Sequence, residues 1–229
     1  MAQKGDIASA RDAYKKAITI DPQNIEAYYQ LALLSSENTD EAISYFNKIK
    51  EIDPELSSDV YYNIGVLYSL KNNDKKVIEY MDKAIKEDPQ SIKPYYFMGM
   101  WWEEKGNIAK AIEYYEKSLN AEPSNTEVLN RIAELYLSTK SYISAERYFK
   151  KVLDINPSDT KALWYLAILS ELKNDFSQAK EYLSRIKNWQ NFPDYVLKMS
   201  YYNIMLGDIE SAVNIPVSYT HLRAHETGR

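Results

Sequence analysis

Proline sets a clock in this chain. Pro22, Pro54, Pro89, Pro123 and Pro157 are separated by 32, 35, 34 and 34 residues, and Pro193 follows 36 later. A residue in front of proline avoids the helical region, so the sites at Asp21, Asp53, Asp88, Glu122 and Asn156 are helix ends. Helices that stop every 34 residues imply a repeat array, in which each unit packs chiefly against its neighbours.

The helices between the stops have their own period. Twelve residues before each of the first five prolines stands a small or β-branched residue (Ala10, Ala42, Val77, Ala111, Ala145), and four later a bulky one (Tyr14, Phe46, Met81, Tyr115, Phe149). Ala179 and Leu183 continue the pair. Positions i and i+4 share a helix face, so this face admits a neighbour closely and then fills the gap. Upstream, Tyr28, Tyr61, Tyr95, Leu129 and Leu163 recur, each followed three residues on by Leu31, Ile64, Met98, Ile132 and Leu166. They mark a first helix whose core includes the three tyrosines, and the Ala-containing helix is the second of a pair.

Tyr95-x2-Met98-Gly99-x2-Trp102, Gly106, Ala111-x3-Tyr115 and Pro123 together resemble the tetratricopeptide repeat signature. The resemblance covers residues 6 to about 213 and implies an all-α, right-handed solenoid of antiparallel helix pairs. Five repeats are complete, with partial repeats at both ends: a lone second helix over about 6–20, and a first helix over about 193–206 with a stub, thirteen helical segments in all. Gly65 and Gly99, in register with Ala32, Ala133 and Ala167, fall where the family's paired helices cross most closely, so a larger side chain there should overpack by roughly 1 to 3 kcal/mol. Ser35 and Ser170 replace the family's usual aromatic, Ile49, Val152 and Ile186 replace a usual alanine, and the first complete pair is two residues short. None of these changes breaks the helical period.

Both ends of the pattern lack the polar capping helix that repeat arrays need, which leads us to expect sequence before Met1. Residues 214–229, which hold both histidines and no lysine, share none of the repeat vocabulary. That tail resembles the translated read-through of a sequencing adapter, and the expectation is a non-repeat segment that is disordered or non-native. His221 and His225 are four apart but have no third ligand, so no metal site is assigned to them.

In the family, first helices line a concave groove. The resemblance therefore places Tyr29, Tyr62, Tyr96, Asn130 and Trp164 at the groove, together with Met100, Asn63 and Arg131, and these eight are the candidate partner-binding residues. Adjacent residues on a helix differ by about 100 degrees, so the pairs Tyr28-Tyr29, Tyr61-Tyr62 and Tyr95-Tyr96 each turn one ring away from the core. Groove charge is mixed with an acidic excess, Glu26, Asp59, Glu103, Glu127, Glu134 and Glu171 against Lys93, Arg131 and Lys161. Of the Lys and Asn residues with which chaperone-binding members clamp a terminal carboxylate, only Asn63 and Lys93 have counterparts, and the Asn ladder of glycosyltransferase-associated members is missing. The expected ligand is a helix or extended segment with apolar anchors and some basic residues.

Composition excludes other classes. The chain has no cysteine, which removes disulfides and thiolate chemistry, and a net charge of -5 with a pI near 5.3, with no basic stripe to meet nucleic acid. No apolar run approaches the roughly 20 residues of a membrane helix. No nucleophile elbow, metal spacing or Gly-rich phosphate loop occurs, so neither catalysis nor a cofactor is expected. The expected role is a non-catalytic scaffold for a protein or peptide partner, with a cytoplasmic location or an exported one whose signal is missing. The alternatives are a recruitment region of a larger protein and a structural element that self-associates through its uncapped ends.

Overall fold

The computed structural model describes residues 2–187, 189 and 194–213, so His221 and His225 and the whole tail lie outside the described residues. Thirteen α-helices, the 3-10 turn Pro54–Leu56 and no strand occur among the described residues. The chain divides into two compact units, Met1–Pro123 and Ser124–Arg229.

The first unit begins with α1 (Ala2–Ile20), followed by three helix pairs: α2 (Ile25–Leu34) with α3 (Thr39–Ile52), α4 (Ser57–Leu70) with α5 (Asp74–Glu87), and α6 (Ile92–Glu104) with α7 (Ile108–Ala121). In the second unit α8 (Thr126–Ser138) pairs with α9 (Tyr142–Ile155), α10 (Thr160–Leu172) with α11 (Phe176–Ser184), and α12 (Tyr195–Met205) with the short α13 (Ile209–Val213). Successive pairs within each unit pack on one another, which is the helical-repeat class expected from the proline spacing.

The core follows the pattern read from the second helices. Ala42, Val77, Ala111, Ala145 and Ala179 are buried with Phe46, Met81, Tyr115, Phe149 and Leu183. Ala32, Gly65, Gly99, Ala133 and Ala167 are likewise enclosed. A Cβ at Gly65 would lie 2.7 Å from Met81 Cε, and one at Gly99 only 2.5 Å from Tyr115 Cδ1, so these are points of close helix approach.

In the first helices the buried register includes the residue before the expected one. Ala27, Val60, Pro94, Val128 and Ala162 are enclosed, whereas Tyr28, Tyr61 and Tyr95 are only half-buried. Leu129 and Leu163, at the same position as those tyrosines, are buried. A tyrosine is too long to end inside such a seam, so its ring packs at the edge and its hydroxyl stays near water. Tyr28 leans on Tyr45 and Tyr61 on Tyr80, with centroids 6.3 and 6.1 Å apart. Tyr45, Tyr80, Tyr114, Tyr148 and Tyr182 thus recur one residue before the bulky core residue, and Lys83, Lys117 and Lys151 lie over Tyr80, Tyr114 and Tyr148 at 4.5, 4.8 and 4.8 Å.

The turn within a pair repeats one backbone device. Asn72, Gly106, Lys140, Asn174 and Gly207 all have φ between 53 and 77°, the left-handed conformation that ends a helix. The next residue closes the preceding helix through its N–H, as Asn73 does to Tyr68 O and Asn107 to Trp102 O. Its side chain often caps the following helix, Asn73 accepting from Lys76 N and Asn107 from Lys110 N. The α2–α3 turn has no left-handed residue, and Asn38 caps α3 by accepting from Glu41 N.

Candidate ligand-binding pocket in the first unit

Between the first helices of the first unit lies a cavity of about 520 Å³. Its floor is apolar, formed by Phe46 and Ile49 of α3, Val60 of α4, Ile25 of α2 and Leu56 of the 3-10 turn Pro54–Leu56. Tyr29 and Tyr62 form walls, and Glu26, Asp59, Asn63 and Lys93 stand among the lining residues.

Three of the candidate residues, Tyr29, Tyr62 and Asn63, therefore meet in one place. Tyr29 is held edge-on against Phe46 at 6.1 Å and Tyr62 against Phe97 at 6.0 Å, which fixes both rings while leaving them half-buried. Burial pushes the Tyr62 phenol up from its ordinary pKa, with Lys93 acting in the opposite direction. Asn63 donates from Nδ2 to the Asp59 carbonyl at 2.7 Å, bracing the first turn of α4.

The charges lie at helix starts. Glu26 and Asp59 fall in the first turns of α2 and α4, where the helix dipole favours an anion. Lys93 occupies the equivalent place on α6, where the dipole disfavours a cation. Asp59 compensates: Lys93 Nζ donates to Asp59 Oδ1 at 2.7 Å, and this bond holds the ammonium above its usual pKa. Among the described residues Lys93 is the one cation lining the cavity, and it is already paired. A terminal carboxylate would meet Glu26 and Asp59 before it met a free cation, so the carboxylate-clamp mode fits this pocket poorly.

The other candidates are placed elsewhere. Tyr96 packs on Tyr115 at 5.6 Å and Met100 is exposed, both on α6 of the first unit. In the second unit Asn130 is buried and donates from Nδ2 to Asp159 Oδ2 at 3.4 Å, while its Oδ1 has no partner. Arg131 and Lys161 converge on Glu134 at 3.6 and 2.9 Å, and Trp164 is half-buried on α10. The sequence carries no signal for the pocket floor: Phe46 and Ile49 of the second helix have the spacing of core positions, and Leu56 lies in a linker.

No group of three or more His, Asp or Glu able to hold a metal is found among the described residues, and none of their helices is long and apolar enough to cross a membrane.

Comparison with known proteins agrees with this architecture. Residues 5–213 match the family described as tetratricopeptide repeat protein 21 N-terminal ARM repeat. Among solved structures, the C-terminal part of a TPR repeat-containing protein from Cytophaga hutchinsonii is similar with a TM-score of 0.69 at 20% identity, covering 92% of this chain and 88% of that one. MamA is 28% identical over 68% of this chain and 92% of its own, with a TM-score of 0.52. YrrB, described as a TPR protein with an unusual peptide-binding site, is 18% identical over 89% of this chain and 97% of its own, with a TM-score of 0.52. No curated protein matches the chain.

Proposed function

Since the chain belongs to the tetratricopeptide repeat protein 21 N-terminal ARM repeat family, we propose that it is a non-catalytic scaffold that binds a peptide or helix of a partner protein, with the cavity between α2, α4 and α6 as the anchoring site. The observation that carries this reading is the pairing of an apolar floor with two fixed tyrosine walls. Rigid aromatic side chains lose little entropy on contact and are frequent binding hot spots. The likeness to YrrB supports peptide binding as a use of this fold. Nothing in the lining set is arranged for catalysis, since the carboxylates of Glu26 and Asp59 stand at an open mouth and carry no nucleophile or metal partner.

The other candidates fit as follows. Tyr96 and Met100 would extend the contact along α6, Arg131 and Trp164 would offer separate contacts on the second unit, and the buried Asn130 would hold α8 to Asp159 rather than touch the ligand.

The test is selection of binding peptides from a random library on the intact chain, followed by affinity measurement on wild type and on a Tyr29→Ala/Tyr62→Ala variant whose helicity is checked by circular dichroism. Loss of at least ~2 kcal/mol of binding is expected if the two rings are hot spots. Unchanged affinity in the folded variant would place the site elsewhere.

A further inference from the structure

We infer that the pocket accepts an arginine side chain of the partner together with a neighbouring apolar residue, and discriminates against acidic ligands. This rests on the reading of the cavity as the peptide site.

Hydrogen-bonding capacity around the mouth is unbalanced. Glu26 receives one neutral amide bond, from Gln30 Nε2 at 2.7 Å. Asp59 is shared with Lys93, and Asn63 spends an amide N–H on the Asp59 carbonyl, which leaves its Oδ1 as an acceptor. Among the described lining residues, two carboxylates and an amide oxygen, beside two phenols that can accept or donate, share a single, already paired ammonium. A ligand that brings donors completes this set, and one that brings a carboxylate adds to the excess.

Arginine suits the geometry better than lysine. Its planar fork bonds a carboxylate through two parallel N–H groups, and its face stacks on aromatic rings such as Tyr29 and Tyr62. The bond between Lys93 and Asp59 is a surface pair, with side chains 60% and 46% exposed, so a guanidinium can share or replace it at little cost.

The apolar half of the recognition has its own mark. Two residues after the repeat proline, Asn24, Asn125 and Asp159 cap the next helix, accepting from Ala27 N, Val128 N and Ala162 N. Ser91, at the equivalent place on α6, makes no cap bond, and in α4 the position is held by Leu56, which cannot cap and lines the pocket instead. The 3-10 turn Pro54–Leu56, capped by Asp53 through Glu55 N, runs straight into α4 and supplies its polar cap, so position 56 is free to carry an apolar side chain, and Leu56 beside Ile25, Phe46, Ile49 and Val60 fits an apolar occupant.

The experiment is selection of random 12-residue peptides on the intact chain, then fluorescence anisotropy of one selected peptide and of its Arg→Gln and Arg→Glu forms. Enrichment of arginine beside an aliphatic residue is expected, with affinity falling about fivefold for Arg→Gln and further for Arg→Glu. Glu26→Gln/Asp59→Asn should abolish the arginine preference and keep the apolar one, Lys93→Met should leave arginine binding intact, and Leu56→Asn should weaken every selected peptide. Peptides with apolar anchors and no basic bias, or with acidic ones, would overturn this inference and leave the pocket in place. Peptides insensitive to Tyr29 and Tyr62, or no enrichment at all, would remove the pocket reading as well.

Discussion

Gly99 lies against the ring of Tyr115, three of whose atoms would stand 2.5, 2.6 and 2.9 Å from a Cβ at position 99. Tyr115 is fully buried and its hydroxyl donates to Glu103 at 3.1 Å, so the ring has nowhere to retreat. Gly65 meets instead the methyl end of Met81, a flexible side chain. Gly99→Ala should therefore destabilise by about 1 to 3 kcal/mol through overpacking. Gly65→Ala should be close to neutral, because the clash can relax and alanine gains about 1 kcal/mol of helix propensity. Urea unfolding of the two variants tests the order, and equal losses would contradict it.

Lys140 occupies the left-handed turn position that Gly106 and Gly207 hold in other pairs. An L side chain there costs about 1 to 2 kcal/mol of local backbone energy. Lys140→Gly should recover about 0.5 to 1 kcal/mol after the entropy of the unfolded chain is counted. Gly106→Ala should destabilise although a Cβ there meets nothing within 4 Å. The melting temperatures of both variants check this.

Acid should loosen the fold in a defined window. Hydrogen bonds from Lys76 and Lys83 pull Glu79 down to about 2, and a bond from Lys117 lowers Glu113. For Glu146 and Glu171, burial acts to raise the pKa, but the bonds from Lys173 and Lys150, and from Lys198 and Tyr202, outweigh it and the net direction is down. A carboxylate with a depressed folded pKa contributes stability above its unfolded value near 4.5 and loses it as pH falls toward the folded one. The lysine partners Lys76, Lys83, Lys117 and Lys150 are raised, so their share is lost only above about pH 10.5. Stability should be flat from about pH 5 to 9 and fall between about pH 4.5 and 2. Thermal melts across this range test it, and Glu79→Gln should shallow the acid limb.

The helix pairs were legible because two strong signals coincide, proline stops and an Ala-x3-bulky face, and α3, α5, α7 and α9 all lie where these place them. The family's close-approach positions, Gly65 and Gly99, were legible for the same reason. In the first helices the sequence leaves the inward face open by one residue, since helical periodicity does not say whether Tyr61 or Val60 faces inward when both can pack. Side-chain length decides it: Val60 fits the seam, and Tyr61 bonds through its hydroxyl to Lys50 Nζ at 3.1 Å. The pocket was half legible. Tyr29, Tyr62 and Asn63 stand on a regular face, but the floor joins residues of α3, α4 and a linker that no single periodicity connects.

The measurement that tests the central claim most directly is photo-crosslinking of a selected peptide carrying benzophenone beside its apolar anchor, with the adducts located by mass spectrometry. The account predicts adducts within residues 25–29 and 56–63, reduced by an unlabelled competitor. Adducts confined to the second unit, or to the outer tyrosines Tyr45, Tyr80 and Tyr114, would contradict it.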